Sequence, residues 1–107
     1  MPWKNLESIE QFENVLASEI SGAMIFKHST RCSVSRMVLK NFMAETETQP
    51  QNIYLLDLIN LREVSNHIAQ RLNIKHESPQ LICIKNHLAQ SVANHENILN
   101  HQIDSNL

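Results

Sequence analysis

Cysteine is scarce in this chain: Cys32 and Cys83 are its two cysteines, and they form no CxxC pair. A disulfide-rich scaffold is therefore excluded, and in a reducing compartment both begin as thiols. Glycine occurs once, at Gly22, and proline three times, while hydrophobic residues make up 42% and charged residues 19%. Collagen-like and disordered compositions are excluded by those values. Positive charge is not in excess: nine Lys or Arg face eleven Asp or Glu, for a formal charge of −2. A net-basic surface for a nucleic acid backbone is not expected. No apolar run has the length needed to cross a bilayer. Met1-Pro2-Trp3-Lys4-Asn5 leads into polar amphipathic sequence and does not read as a signal peptide, so the cytoplasm is the default location. A chain of 107 residues supports one core, hence one domain over 1–107.

What is present alternates between two kinds of segment. Ser8 reads as an N-cap with Gln11 at the third helical position, followed by Ile9, Phe12 and Leu16 at helical spacing, which predicts a helix over 8–19. Ser21-Gly22 should end it, with glycine in the C-terminal turn. Ala23 to His28 is a short apolar run, read as a buried strand. Val34, Met37, Val38 and Phe42 predict a second helix over 32–44. Ile53 to Leu58 reads as a strand. Asn60 as N-cap, Glu63, and the apolar series Leu61, Val64, Ile68 and Leu72 predict a helix over 61–71. Gln80 to Ile84 and Leu88 to Val92 complete a four-stranded mixed sheet. A short final helix takes in Ile98, Leu99 and Ile103. The helical crossover favours parallel pairing of the first two strands, and the turn near Asn86 antiparallel pairing of the last two. An all-helical bundle is the rival, and it leaves Ala23–His28 and Leu81–Ile84 unexplained.

Cys32 lies where a strand hands over to a helix. Such a position favours a thiolate and presents unpaired backbone N–H groups. Lys27 and Arg31 add positive potential or favour an anionic substrate, and Ser33 or Ser35 can hydrogen-bond sulfur. The plainer reading is a small buried core thiol. Cys83, inside an apolar strand, reads as core packing. Pro79 resets the chain before a strand. His28 and His76 stand at strand ends, suited to thiolate support, proton transfer or a structural hydrogen bond. His67, His87, His95 and His101 show no zinc-ligand spacing with the cysteines, so no metal is inferred. Trp3 packs across the first helix or meets a partner.

Phe26-Lys27-His28-Ser29-Thr30-Arg31-Cys32-Ser33-Val34-Ser35 resembles the active-site segment of the YtxJ-like monothiol bacilliredoxins. Lys75-His76-Glu77-Ser78-Pro79-Gln80 resembles their second diagnostic segment, and Ala93 to Ile98 looks like a divergent form of their final His-rich turn. The resemblance covers nearly the whole chain, most clearly residues 6–92. It implies an α/β thioredoxin-like fold, Cys32 as the catalytic thiol and a cis Ser78–Pro79 bond beside it. Arg31, Ser33, Ser35, Glu77, Ser78 and Pro79 would then position substrate, with Lys27, His28 and His76 in support. Two departures stand out: Ser33 replaces the family's usual proline, and Asn86-His87 its usual acidic–Gly turn.

The implied activity is removal of bacillithiol from protein mixed disulfides, a stress-response function with bacillithiolated proteins as partners. No tightly bound cofactor, metal, nucleic acid or membrane enters; bacillithiol is the exchanging thiol. Position 35 is serine, so the resolving thiol of a dithiol protein is missing there. A redox-inactive peptide-binding adaptor and a glutathione-using glutaredoxin are the alternatives.

Overall fold

The structure is a computed structural model that describes residues 3–18, 22–47 and 52–100. Its elements are β1 (Trp3–Asn5), α1 (Ile9–Ala17), β2 (Ala23–His28), α2 (Ser33–Glu45), β3 (Asn52–Asp57), α3 (Arg62–Leu72), β4 (Gln80–Lys85), β5 (Leu88–Asn94) and a 3₁₀ helix (His95–Asn100). The strands lie in the order β1-β3-β2-β4-β5. β2 runs parallel to β3 and antiparallel to β4, and β5 is antiparallel to β4.

Among the described residues the sheet thus has five strands, one more than the sequence predicts. The addition is β1, which pairs in parallel with β3. Three residues are too few to show a period-two pattern. Trp3 anchors them, with its ring 6.2 Å from Phe26 and 6.0 Å from Phe42.

Alternation along the strands sends side chains to two cores. Ile25 and Leu56 pack with Phe12 and Leu16 of α1 and Val64 and Ile68 of α3. Met24, Phe26 and Cys83 pack with Val38 and Phe42 of α2 and with Ile98. Both faces of β2 are therefore covered, which is why its sequence is an unbroken apolar run up to Lys27.

Local chemistry sets the helix ends. Ser8 Oγ accepts from Gln11 N at 3.0 Å, and Gln11 Oε1 accepts from Glu7 N at 2.7 Å. This is a capping box displaced by one residue. α1 stops at Ala17 with Ser18 extended, and no described glycine takes positive φ. Gly22 accordingly leads into β2 and does not close the helix; Ile20 and Ser21 lie outside the described residues. The cap of α3 is Leu61, not Asn60. Asn60 donates to Asp57 Oδ2 instead, while Asp57 Oδ1 accepts from Ile59 N, so the strand-ending carboxylate claims the turn. α3 ends in a Schellman motif, with Asn73 at φ 55 and Ile74 N bonded to Ala69 O. The predicted final helix is a 3₁₀ turn over His95–Asn100, and Ile103 lies outside the described residues.

Candidate active site at the Cys32 turn

β2, the central strand, ends at His28, and a tight turn carries the chain into α2. Cys32 is the helix N-cap, with extended backbone at φ −100 and ψ 121. Cys32 N donates to Ser29 O at 3.2 Å, and Cys32 O accepts from Arg36 N at 3.0 Å. No side chain caps the helix. The backbone N–H groups of Ser33, Val34 and Ser35 therefore have no intrahelical carbonyl to bond, as at any helix start. Cys32 is a half-buried free thiol, flanked by exposed Arg31 and Ser33. Arg36, which sequence reasoning did not single out, donates from Nη1 to Thr30 O at 3.0 Å and ties α2 back to the turn.

Beneath the turn, Ser35 is fully buried. Its Oγ lies 2.7 Å from His28 Nδ1 and accepts from Ser29 N at 3.1 Å. Burial holds His28 below the usual imidazole range; Asp57 opposes that effect and Arg36 adds to it. A neutral His28 shares one hydrogen bond with the Ser35 hydroxyl through Nδ1, its direction set by the imidazole tautomer. Ser35 and His28 thus form one brace from β2 to the first turn of α2.

Lys27, adjacent to His28 in sequence, points to the opposite face. It is fully buried, and Nζ donates to Ser65 O of α3 at 3.3 Å. Burial lowers its pKa to about 8. His76 joins the same polar group, its Nδ1 3.3 Å from Ser65 Oγ. Burial first, then Lys27 and Arg62, hold His76 below the usual range against the pull of Glu77.

The second segment reaches the same end of the sheet because Gln80 of β4 pairs with Lys27 of β2. The Ser78–Pro79 bond is cis. Pro79 O accepts from His95 N at 2.8 Å, and Glu77 Oε1 is 3.4 Å from His95 Nε2. Gln80 Nε2 donates to Lys75 O and to Asn94 Oδ1, both at 3.0 Å. The loop is thereby pinned to the start of the 3₁₀ helix. His95 was missed as a brace, since only the β4–β5 pairing brings it beside residue 79. Ser78 Oγ is buried without a hydrogen-bond partner. Cys83 is buried on the α2 side of β4. Among the described residues no group of three or more His, Cys, Asp or Glu is gathered to hold a metal ion. No described helix is long and apolar enough to cross a membrane.

A half-buried thiol on the N-cap of the helix that leaves the central strand, with a cis-proline loop at the same sheet end, defines a thioredoxin-fold protein with a thiol oxidoreductase-like role. Comparison with known structures agrees. A structure presented as a candidate oxidoreductase with a thioredoxin fold superposes with TM-score 0.82 at 31% identity, covering 90% of this chain and 85% of that one. Thioredoxin of Schistosoma mansoni gives TM-score 0.73 at 19% identity, covering 92% of this chain and 87% of that one. Thioredoxin of Malassezia sympodialis gives 0.70 at 19%, covering 90% and 81%. The latter two show the shared fold alone. The family "Monothiol bacilliredoxin BrxC" matches residues 4–103, and the chain belongs to that family.

Proposed function

We propose that this protein is a monothiol thiol–disulfide oxidoreductase that removes bacillithiol from protein mixed disulfides through Cys32. The carrying observation is the Cys32 turn: a half-buried free thiol on the N-cap of α2, with a buried serine hydroxyl three residues on. The positive end of α2 complements negative charge on sulfur. The Cys32 thiolate attacks the bacillithiol sulfur of the mixed disulfide. The client–bacillithiol S–S bond breaks, the client sulfur leaves as thiolate and takes a proton, and Cys32 is left disulfide-bonded to bacillithiol. A second low-molecular-weight thiol, as thiolate, attacks that disulfide and releases Cys32.

Position 35 cannot resolve the intermediate internally, because Ser35 has no sulfur and its hydroxyl is committed to His28 and Ser29. Arg31 and Ser33 flank the sulfur on the exposed side, in reach of the polar groups of an incoming thiol. Glu77, Ser78 and Pro79 form the opposing loop, where extended client backbone can pair. His28 acts through Ser35 by holding the turn. Lys27 and His76 lie on the other sheet face and contribute to the field below the loop. The clients are bacillithiolated proteins, the working compartment is the cytoplasm, and residues 1–107 act as one domain.

The test offers one client as a bacillithiol and as a glutathione mixed disulfide, following client thiol release and the mass of Cys32 peptides. Faster release from the bacillithiol form, with bacillithiol on Cys32, supports the reading. Preference for the glutathione form makes it a glutaredoxin. No transfer from either form makes it an adaptor.

A further inference from the structure

The backbone turns left-handed where β5 ends. His95 has φ 53, a conformation that crowds any residue with a Cβ and that asparagine tolerates better than most. Asn94 and Asn97 stand close by in sequence, yet histidine holds the position. A bulky residue kept in this region points to a use for it.

Both halves of His95 go to the segment that ends on Pro79. Gln80 pairs with Asn94, so residue 95 falls beside residue 79. The backbone N–H of His95 donates to Pro79 O at 2.8 Å. The ring reaches past Pro79, with Nε2 3.4 Å from Glu77 Oε1. Glu77 is the more enclosed partner, with 26% of its side chain exposed against 49% for His95. The other carboxylate oxygen, Glu77 Oε2, has Lys75 Nζ at 3.8 Å, but that lysine side chain is 90% exposed and holds it loosely. Farther back, Gln80 Nε2 donates to Lys75 O at 3.0 Å. The segment 75–79 is thus tied at Lys75, Glu77 and Pro79.

Ser78 lies between the two His95 contacts and is left open. Among the described residues neither its N–H nor its C=O takes part in a backbone hydrogen bond. Its Oγ is buried without a partner. An unpaired N–H and C=O on a segment fixed at both flanks is what an extended polypeptide needs in order to add a strand. A small disulfide has no backbone to offer there.

We propose that His95 is the positioning residue for client polypeptide. Its ring holds Glu77 and its backbone holds Pro79, so that Ser78 is presented to the client's extended backbone and the site favours polypeptide over small disulfides. This deepens, and rests on, the reading of Glu77–Pro79 as the client-binding loop. His95 touches no reacting atom in this role.

The experiment uses the full chain in two arms. In the first, a decapeptide of alanine and glutamine with one central serine is titrated into ¹⁵N-labelled protein, and Kd is read from the amides of Glu77, Ser78 and His95. No thiol chemistry enters this arm. In the second, the same peptide with cysteine in place of that serine, joined to mercaptoethanol as a mixed disulfide, is compared with 2-hydroxyethyl disulfide. Released thiol gives the rate of the first exchange. His95→Ala keeps the backbone N–H and removes the ring. It should raise Kd about three- to fivefold and lower the ratio of peptide to small-disulfide rates by the same factor, as expected for one partly exposed charge contact. His95→Gln, whose amide can donate to Glu77 at similar reach, should restore the parental values. Glu77→Ala should match His95→Ala, and the double variant should be no worse than either. An unchanged Kd in His95→Ala, additive losses in the double variant, equal loss on both disulfides, or no saturation by about 5 mM peptide would overturn the proposal. Exchange of neither disulfide by the parent, with the first arm as expected, would overturn the Cys32 reading and leave the assignment of His95 standing.

Discussion

Replacement of Lys27 by Met should stabilise the protein, although it removes a hydrogen bond. Lys27 is fully buried on the α3 side of the sheet, and its ammonium has Ser65 O as acceptor at 3.3 Å. Ser65 O lies in the interior of α3, where a carbonyl already accepts the helix N–H four residues on. Losing Nζ therefore strands no acceptor. Burial moves the lysine from 10.5 to about 8. At 1.36 kcal/mol per unit, the charged form costs the folded state at most about 3 kcal/mol. The sign follows from proton counts. Below about pH 8 both states are protonated and the cost is fully present. Between about 8 and 10.5 the unfolded chain holds the extra proton, so stability rises with pH. Methionine has similar length and no charge, so Lys27→Met should gain about 1–3 kcal/mol at pH 7. The gain should shrink towards zero as pH approaches 10.5. Urea unfolding read by Trp3 fluorescence, at several pH values on both proteins, measures this. A variant less stable than the parent at pH 7, or a difference independent of pH, would refute the reasoning.

Ser35→Ala should cost about 2–4 kcal/mol in the same assay, because it strands the Ser29 N–H and His28 Nδ1 in a largely buried place. The parent should lose stability as pH falls through about 6.5, since His28 and His76 are both held below their usual range and the unfolded chain then binds more protons. Phe42→Ala, removing a fully buried ring packed on Trp3 and Phe26, should cost about 3–5 kcal/mol by thermal or urea unfolding. Brief alkylation of the folded protein should modify half-buried Cys32 well before buried Cys83, read by peptide mass mapping; dominant labelling of Cys83 would reverse the assignment.

Most of the frame was legible because its signals are local. The Ser8 cap, the apolar run of β2 and the spacing along α2 each lie within a dozen residues, and the helix limits fall within one or two residues of those expected. β1 was not legible, because three residues gain meaning only when β3 lies alongside. Asn60 was misplaced for a related reason: an N-cap residue and an Asx-turn partner look alike until Asp57 is seen to claim the turn. At the site, the position of Cys32 followed from the strand-to-helix junction. The partition of its neighbours did not. Lys27 and His28 are adjacent in sequence, yet strand alternation sends one to α3 and the other under α2. Ser35 reads as a hydroxyl for the Cys32 sulfur, whereas the closed turn buries it against His28 Nδ1 and Ser29 N. His95 reaches Pro79 only through the β4–β5 hairpin.

The most direct measurement is intact-mass analysis of the protein mixed with a client carrying one bacillithiol-modified cysteine. The parent and Cys83→Ser should both gain the full bacillithiol mass on Cys32 as client thiol appears at the same rate, and Cys32→Ser should gain none. Transfer by Cys32→Ser at the parental rate, or a parental product consisting only of a Cys32–Cys83 disulfide, would contradict the monothiol mechanism.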